Sequence, residues 1–568
     1  MGRVLHLVRA TIETLSPLST ASGDGQMYDM ALVRDANGLP EIAASSIQGV
    51  LRHLHEERFG AEESRRLFGF ADGDNGQTGR LFFSFGRVHG SDNVAVNGLR
   101  VEETPSSAGD ELLQRLAADA PLVRDHVALN QRHVADKRSK FERVAVPRGA
   151  RFSFEIAMWG DAGKEKEDAE ALLDLMSLMK HPAFRLGGAV RRGYGKVKLI
   201  AAGKVVLPLS NPAAIRDVRK RPASDLSAPF KRIDIARDLT PVDGDAVTIA
   251  LTLTPIGLWR FGSTGLALRT GAHELRSDRW IDRERGGPDR RGKDVDAASV
   301  REPLIDWASN RGCWREPQRA ADQTRMPKVT LAGTAIKGPL AHRTLFHWNR
   351  LHPGENGAGA GRMLDPSAWE NERDPVRRKA IIAEIAASKL GDRKQGGAWT
   401  VRPAELETLF GSVKGDNEPA ASGGEANGRS RGRAARLIVD DADIDVKPES
   451  IVALDHNSLD RFTGGVRNRL LFSEEVAFGG EIAVTITILP PRGGKDELRA
   501  PSDWPPDLRR AFCHALRDLC EGRLALGAKS LGFCTATAAP AFQGGAAQEW
   551  KTAWDETDAP ARQGGEAP

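Results

Sequence analysis

Period-two alternation opens the chain. In RVLHLVRATIETLSPL, residues 3–18, apolar and polar positions alternate with β-branched residues among them, which predicts a half-buried strand. The same signature returns in DAVTIALTLTPIGLWRF, residues 245–261. Each strand begins a block of text that recurs in order. LPEIAASSIQGVLRHL at 39–54, a turn leading into a helix, returns as MPKVTLAGTAIKGPLAHRTL at 326–345. LFG, GDN and the alternating run RLFFSFGRV at 67–88 return as LFG at 409–411, GDN at 415–417 and the strand that follows. VALNQRHVADKRSKFERVAVPRGARFSFEIAM at 127–158 is matched by VALDHNSLDRFTGGVRNRLLFSEEVAFGGEIAVTITI at 452–488. Last, an amphipathic helix running into a Gly-rich turn and a strand, 172–199, is matched by 511–538. Four blocks in register define an internal repeat.

Each repeat reads strand, loop, helix, strand, long loop, strand, helix, Gly-rich turn, strand. This order predicts an α+β fold of two tandem ferredoxin-like units, the split β-α-β plan with loop insertions. The expected boundaries are 1–203 for the first unit, 204–243 for a Pro-rich linker, and 244–540 for the second unit. The second unit carries insertions at 266–321 and 353–405, which hold Trp280, Trp307, Trp314, Trp369 and Trp399. Those tryptophans read as anchors that pin the insertions to the body. Residues 541–568, rich in Gly, Ala and Gln, are expected to form a flexible tail.

Composition narrows the class. The chain has 568 residues with 40% hydrophobic and 28% charged, a globular mixture long enough for two to four domains at roughly 100–200 residues each. No run approaches the roughly 20 apolar residues that span a bilayer. Arg3, His6, Arg9 and Glu13 interrupt the apolar N-terminus where a secretory segment would need continuity, so a cytoplasmic location is expected. The four cysteines, Cys313, Cys513, Cys520 and Cys534, form no C-x-x-C pair, which argues against a disulfide framework and a common structural zinc site. Net charge is only +4, yet basic residues cluster in loop-like segments at 132–143, 279–293 and 429–436. Such clustering fits a phosphate-binding groove.

Two kinds of motif carry candidate chemistry. Ser45 and Ser46 start a helix that continues through Gln48 and Arg52, and their hydroxyls are expected to cap it while the helix end faces a phosphate. The copy places Thr334 and Lys337 at the same points, the lysine adding a cation. The Gly-rich turns hold Gly187, Gly188, Arg191 and Arg192 in the first unit, and Gly527 and Lys529 in the second. They follow a helix and precede a strand, the reverse of a dinucleotide fingerprint. No G-x-x-x-x-G-K-[ST] run occurs, which argues against a nucleoside triphosphatase. His342, His347 and His352 recur every five residues and read as core or surface histidines rather than metal ligands.

Taken together, YDMALVRDANGLPEIAASSIQGVLR, the LFG block, VALDHNSLDRFTG with FSEEVAFGGEI, and the Gly-rich loops resemble the repeat-associated mysterious protein (RAMP) superfamily, in particular the backbone subunits of type III CRISPR-Cas effectors. Two units fused in one chain look like the tandem backbone proteins of type III-D and related effectors. The resemblance implies RNA-recognition-motif-like cores stacked along a CRISPR guide RNA, with thumb-like loops wedged into the guide-target duplex. It also implies other type III effector subunits as partners, and no membrane. The thumbs fall at 130–148 and 455–473, where His133, Lys137, Arg138, Arg461 and Arg467 are the expected RNA contacts. The family's loop aspartate, which cleaves target RNA with a divalent cation such as Mg²⁺, falls on Asp29, which would also be the metal ligand. In the second unit the same position is Glu316, or Asp306 if the insertion shifts the register. The leading expectation is therefore an RNA-guided endoribonuclease subunit. A non-catalytic guide-binding subunit and a guide-processing ribonuclease of the same superfamily are the alternatives.

Overall fold

The computed structural model describes residues 3–20, 30–72, 75–99, 109–127, 140–161, 163–240, 246–262, 299–315, 329–352, 363–364, 399–400, 403–412, 434–446, 450–467, 472–491, 503–527 and 531–558. The chain mixes helices with antiparallel sheets, an α+β architecture. Its first half is built on a sheet of β1 (Arg3–Thr14), β2 (Glu41–Ile42), β3 (Leu81–Phe83), β4 (Gly86–Val88), β7 (Arg151–Asp161), β8 (Val197–Pro208) and β9 (Lys231–Arg232). The order is β9-β8-β1-β7-β4-β2, with β3 also paired to β7. Between β4 and β7 a separate hairpin is formed by β5 (Leu122–His126) and β6 (Phe141–Ala145). Helices α1 (Ala44–Phe59) and α2 (Glu165–Ser177) bury one face. Val8, Ala10 and Ile12 of β1 join Ile47, Leu51, Leu172, Leu175 and Met176 in a single core, as the alternation in β1 requires.

The second half repeats this plan. Its sheet contains β10 (Val247–Pro255), β13 (Val329–Leu331), β14 (Leu437–Val439), β15 (Ala442–Ile444), β18 (Ile482–Ile488), β19 (Glu521–Ala525), β20 (Phe533–Ala536) and β21 (Ala541–Gly544). The order β13-β15-β18-β10-β20-β19 matches β2-β4-β7-β1-β8 strand for strand, with β19 added at the edge. Helices α4 (Gly333–Leu351) and α5 (Pro506–Cys520) take the places of α1 and α2 over the second core. Two further hairpins belong to this half: β11 (Leu304–Ala308) with β12 (Arg311–Arg315), and β16 (Ile451–His456) with β17 (Phe472–Phe478).

Two sequence expectations need correction. As far as residue 240, where the described stretch ends, the expected Pro-rich linker at 204–243 is built into the first half: β8 continues to Pro208, α3 (Pro212–Lys220) follows, and β9 adds to the sheet edge. Their anchor is Arg9, whose fully buried guanidinium donates to Glu155 Oε1 at 2.8 Å and to the carbonyls of Val218 at 2.7 Å and Asp225 at 2.8 Å. A charge buried this deeply is tolerated only when its donors are occupied, and the segment supplies the acceptors. Prolines suggested a linker, yet Pro212 sits at the start of α3, where proline's missing N–H costs nothing. The expected tail at 541–568 is folded as far as 558. Strand β21 pairs with β10, and α6 (Ala547–Asp555) buries Trp550 and Trp554 in the second core. Residues 559–568 lie outside the described residues.

The insertions at 266–321 and 353–405 fall mostly outside the described residues. The described part of the first, β11–β12, leaves its own half and packs on the other. Trp307 donates its Nε1–H to Gly149 O at 2.7 Å and lies 4.0 Å from the Arg151 guanidinium. The Ile305 N–H reaches Arg148 O and the Gly312 N–H reaches Ser91 O, both at 2.8 Å. Trp307 and Trp314 act as anchors, joining the edge of the first core.

The halves are also joined by charge. Arg124 on β5 lies between two carboxylates of the second half, 2.5 and 2.7 Å from Glu302 and 2.7 Å from Asp441, all three buried. Because truncating one member of a buried ion pair leaves the others uncompensated, Arg124→Met should lower unfolding free energy by about 3–5 kcal/mol. Urea denaturation at neutral pH tests this, and the loss should be carried by a shift in midpoint.

Candidate RNA interface

The Gly-rich turn of the first half, 186–195, lies at the junction rather than on open surface. Gly193 adopts φ +93°, and a Cβ there would come 2.4 Å from Asp441 Oδ1. Gly187 adopts φ +79°, and a Cβ there would meet Ser19 O, also at 2.4 Å. Glycine is required at both points because φ is left-handed and a group from elsewhere, the Asp441 carboxylate at Gly193 and the Ser19 carbonyl at Gly187, lies where a Cβ would be. Gly188 donates its N–H to Ser19 O at 2.7 Å. In the second half Gly527 likewise faces protein, its N–H donating to Leu531 O at 2.9 Å. The glycines expected to admit a phosphate are spent on packing the turns, while Arg191 and the exposed Arg192 remain on the rim. Lys529 lies outside the described residues.

The helix starts differ from expectation in the same way. Ala43 and Ala332 occupy the N-cap positions of α1 and α4, without a side-chain cap at either. Ser45, Ser46 and Thr334 sit inside the first turns instead. At α4 the Gly333 N–H donates to Asp441 Oδ1 at 2.8 Å, so a carboxylate of the protein takes the place expected for a phosphate. Lys337 is equally committed, its Nζ donating to Leu437 O at 2.8 Å and Arg191 O at 3.2 Å. The start of α1 is more open, with Ser45 and Ser46 exposed and Gln48 and Arg52 half-buried beyond them.

Three acidic residues that sequence reasoning did not single out hold this junction. Asp440 accepts from Arg185 and from Lys196 Nζ, the latter at 2.6 Å, and Asp443 accepts from Arg148. Burial alone would raise Asp440, but Arg185 and Lys196 together hold its carboxyl below the usual carboxylate range. Asp441 moves the other way. Burial pushes it up, and neighbouring Glu302 adds to that push against the pull of Arg124. The DDAD run at 440–443 was the visible signal, since acids crowded at a strand end need cations from elsewhere.

Next to the junction, a column of cations and rings forms the root of the β5–β6 hairpin. The Arg192 guanidinium lies 5.2 Å from the Phe141 ring, which stacks on His126 at 5.0 Å. His126 Nε2 and the buried Tyr194 hydroxyl are 2.8 Å apart, and the Arg124 guanidinium is 5.0 Å from the Tyr194 ring. Burial, reinforced by Arg192, Arg124 and Arg143, depresses the His126 imidazole to about 3, so it is neutral at physiological pH. Lys140 approaches Asp125 at 3.3 Å. His133, Lys137 and Arg138 belong to the loop that this hairpin carries and lie outside the described residues.

The equivalent hairpin in the second half is described to its tip. At its root Glu474, buried, lies 3.0 Å from Arg260 and 2.6 Å from His456. Near the tip Asp460 organises a tight turn: its Oδ1 accepts the N–H of Phe462 at 2.9 Å and of Thr463 at 3.0 Å, while its own N–H donates to Gly465 O. The turn holds Phe462 out with 99% of its surface exposed, beside Leu459 and Val466, which are exposed too. Arg461 and Arg467 are exposed on the same segment. Phe462 is a candidate contact that sequence reasoning missed, although an aromatic between Asp-Arg and Thr-Gly-Gly in a turn was a legible cue.

The expected catalytic residues are not brought together among the described residues. Asp29 and Glu316 lie outside them. Asp306, on β11, is half-buried and pairs with Arg315 on β12 at 3.4 Å. A carboxylate facing a guanidinium is a poor cation ligand, and no group of three His, Cys, Asp or Glu able to hold a metal occurs among the described residues. Asp35, close to Asp29 in sequence, is structural: its Oδ1 accepts the N–H groups of Asn37 and Leu39, both at 2.9 Å. His347 donates its Nε2–H to Asp518 Oδ2 at 2.6 Å and links α4 to α5. No helix among the described residues is long and apolar enough to cross a membrane.

Residues 11–198 match the family model of the RAMP superfamily. The matched segment is about a third of the chain and runs from β1 into β8, so it takes in the junction-facing Gly-rich turn and the β5–β6 hairpin. The match supports membership of that superfamily and a CRISPR-associated RNA-binding role. No curated protein matches the chain.

The Asp440 cluster makes a testable prediction. A carboxylate whose folded value is depressed contributes stability above its unfolded value, near 3.8, and loses it as pH falls through the folded value. Asp440→Asn should therefore cost about 2 kcal/mol at pH 7. The difference from wild type should shrink below about pH 4, as read from urea midpoints across that range.

Proposed function

We propose that the protein is a guide-binding backbone subunit of a type III CRISPR-Cas effector, built from two ferredoxin-like RAMP units in one chain as in the type III-D arrangement. It holds CRISPR RNA, binds complementary target RNA, and assembles with other effector subunits. The observation that carries this reading is Phe462, held wholly exposed on a hydrogen-bonded turn between two arginines. The exposed ring stands with exposed Leu459 and Val466 in one apolar cluster, and the face of a nucleobase flanked by phosphates fits a Phe with neighbouring guanidinium groups. The column Arg192–Phe141–His126–Tyr194 offers the first unit a similar mix of charge and rings.

Phe462→Ala should weaken binding of guide-target duplex by roughly 1–3 kcal/mol, or about 5- to 150-fold, as expected for one lost stacking contact. Because the side chain is exposed, the melting temperature should stay unchanged. Filter binding at two salt concentrations, with thermal denaturation alongside, checks both statements. Undiminished RNA binding by this variant would remove the principal support for the reading.

Within the proposal, cleavage of target RNA belongs to Asp29, whose carboxylate would orient the ribose 2′-hydroxyl toward the adjacent phosphate with a divalent cation as cofactor. Asp29→Ala should slow one cut by roughly 10²- to 10⁴-fold while guide binding persists. The readout is a ladder of labelled target RNA with Mg²⁺ or chelator. The pairing of Asp306 with Arg315 favours a second unit that binds without cutting. Accordingly Asp306→Ala should leave every product band in place, and the same ladder separates a cutting subunit from a purely structural one.

A further inference from the structure

A cavity of about 350 Å³ opens between α2 and the β8–β9 edge of the first sheet, lined by none of the junction residues named above. Its walls are apolar: Val8, Leu172, Leu173, Met176 and Ile233. The size lies within the range of small-molecule sites, which are mostly apolar with a few placed polar groups. Here those groups are unusual. Lys204 on β8 and Lys231 on β9 stand directly opposite in the antiparallel register, and both line the cavity. Like charges directly opposite on neighbouring strands repel. Lys204 is half-buried and Lys231 exposed, and neither has an ion-pair partner among the described residues, so only solvent screens the repulsion.

The remaining polar group is His6, 2% exposed, whose Nε2 has no hydrogen-bond partner. Asp168 Oδ2, 3.9 Å away, is also without one, while Asp168 Oδ1 accepts from Arg80 at 2.8 Å. The site thus has an apolar body, two uncompensated cations at one wall, and a buried imidazole. Dispersion and desolvation favour an apolar occupant against α2, and the lysine pair demands an anionic head.

We propose that this cavity binds a small organic anion: an apolar body lying between α2 and β8, with a carboxylate or phosphate head held between Lys204 and Lys231. The site is separate from the RNA-binding surfaces, so the proposal stands or falls independently of them. An amphipathic carboxylate of lipid origin and a mononucleotide share this chemistry, and titrations with decanoate and with adenosine monophosphate distinguish the two.

Isothermal titration of the full chain with each compound should give saturable one-to-one binding for at least one, with decanol about tenfold weaker than decanoate if the lipid-like body is the right one. The decisive variant is Lys231→Glu. It replaces a repelling pair with an attracting one, so it should raise the melting temperature of the unliganded protein and abolish anion binding. A merely structural lysine would not give that opposed pair of effects. Lys204→Gln with Lys231→Gln, which keeps side-chain length and removes charge, should weaken binding without loss of fold by circular dichroism. Absence of saturable binding of both compounds up to about 1 mM would overturn the proposal, as would binding that survives the glutamine pair.

Discussion

The guanidinium of Arg124, enclosed by Glu302 and Asp441, is the interaction on which the relative placement of the two halves turns. One cation serving two buried carboxylates leaves an excess of negative charge, and the structure answers it locally. The Gly333 N–H at the start of α4 donates to Asp441, and Arg185, Lys196 and Arg148 take the neighbouring acids. Gly193 must lack a side chain because Asp441 lies where a Cβ would be. The Gly-rich turn, the helix start and the acidic strand end are therefore one device, and none of the three has its shape for its own sake. Because these charges are out of water, their mutual attraction is strong but unforgiving of deletion.

That dependence changes the chemistry available for RNA. Features suited in principle to phosphate, a helix N-terminus and glycines with nearby lysine, are already satisfied by protein groups in the α4 half. Positive charge left over for a ligand sits instead on the hairpins and the rim: Arg192 at the junction and Arg461 and Arg467 beside Phe462. Such a distribution favours contact along projecting hairpins rather than in a pocket.

The strands β1 and β10 were legible because their alternation is a local property, read two residues at a time. The helices α2 and α5 were legible for a similar reason, their apolar positions recurring at helical spacing. What could not be read was pairing at long range. Arg9 looks like an interruption of an apolar strand, yet it anchors residues more than 200 positions later, and with them a segment whose prolines imitated a linker. Trp550 and Trp554, set among glycines and alanines, likewise belong to a core assembled from distant strands. Serines near a helix start suggested caps, but with Ala43 at the cap the helix begins two residues earlier than a cap at Ser45 requires. At the candidate site the hairpin positions were found by matching blocks. Phe462 was not: the turn around it is legible in Asp-Arg-Phe-Thr-Gly-Gly, but that the turn leaves the ring in water is a property of the folded chain.

The two matching places in the repeat carry different residues: Asp440 and Asp441 follow β14, whereas Ser84 and Phe85 follow β3. A surface made of acids can clasp a basic turn, and one made of a hydroxyl and an exposed ring cannot. The chain thus has a head and a tail that differ in chemistry even though their sheets share a strand order, and exchanging the order of its halves would bring together faces with no complementary charge.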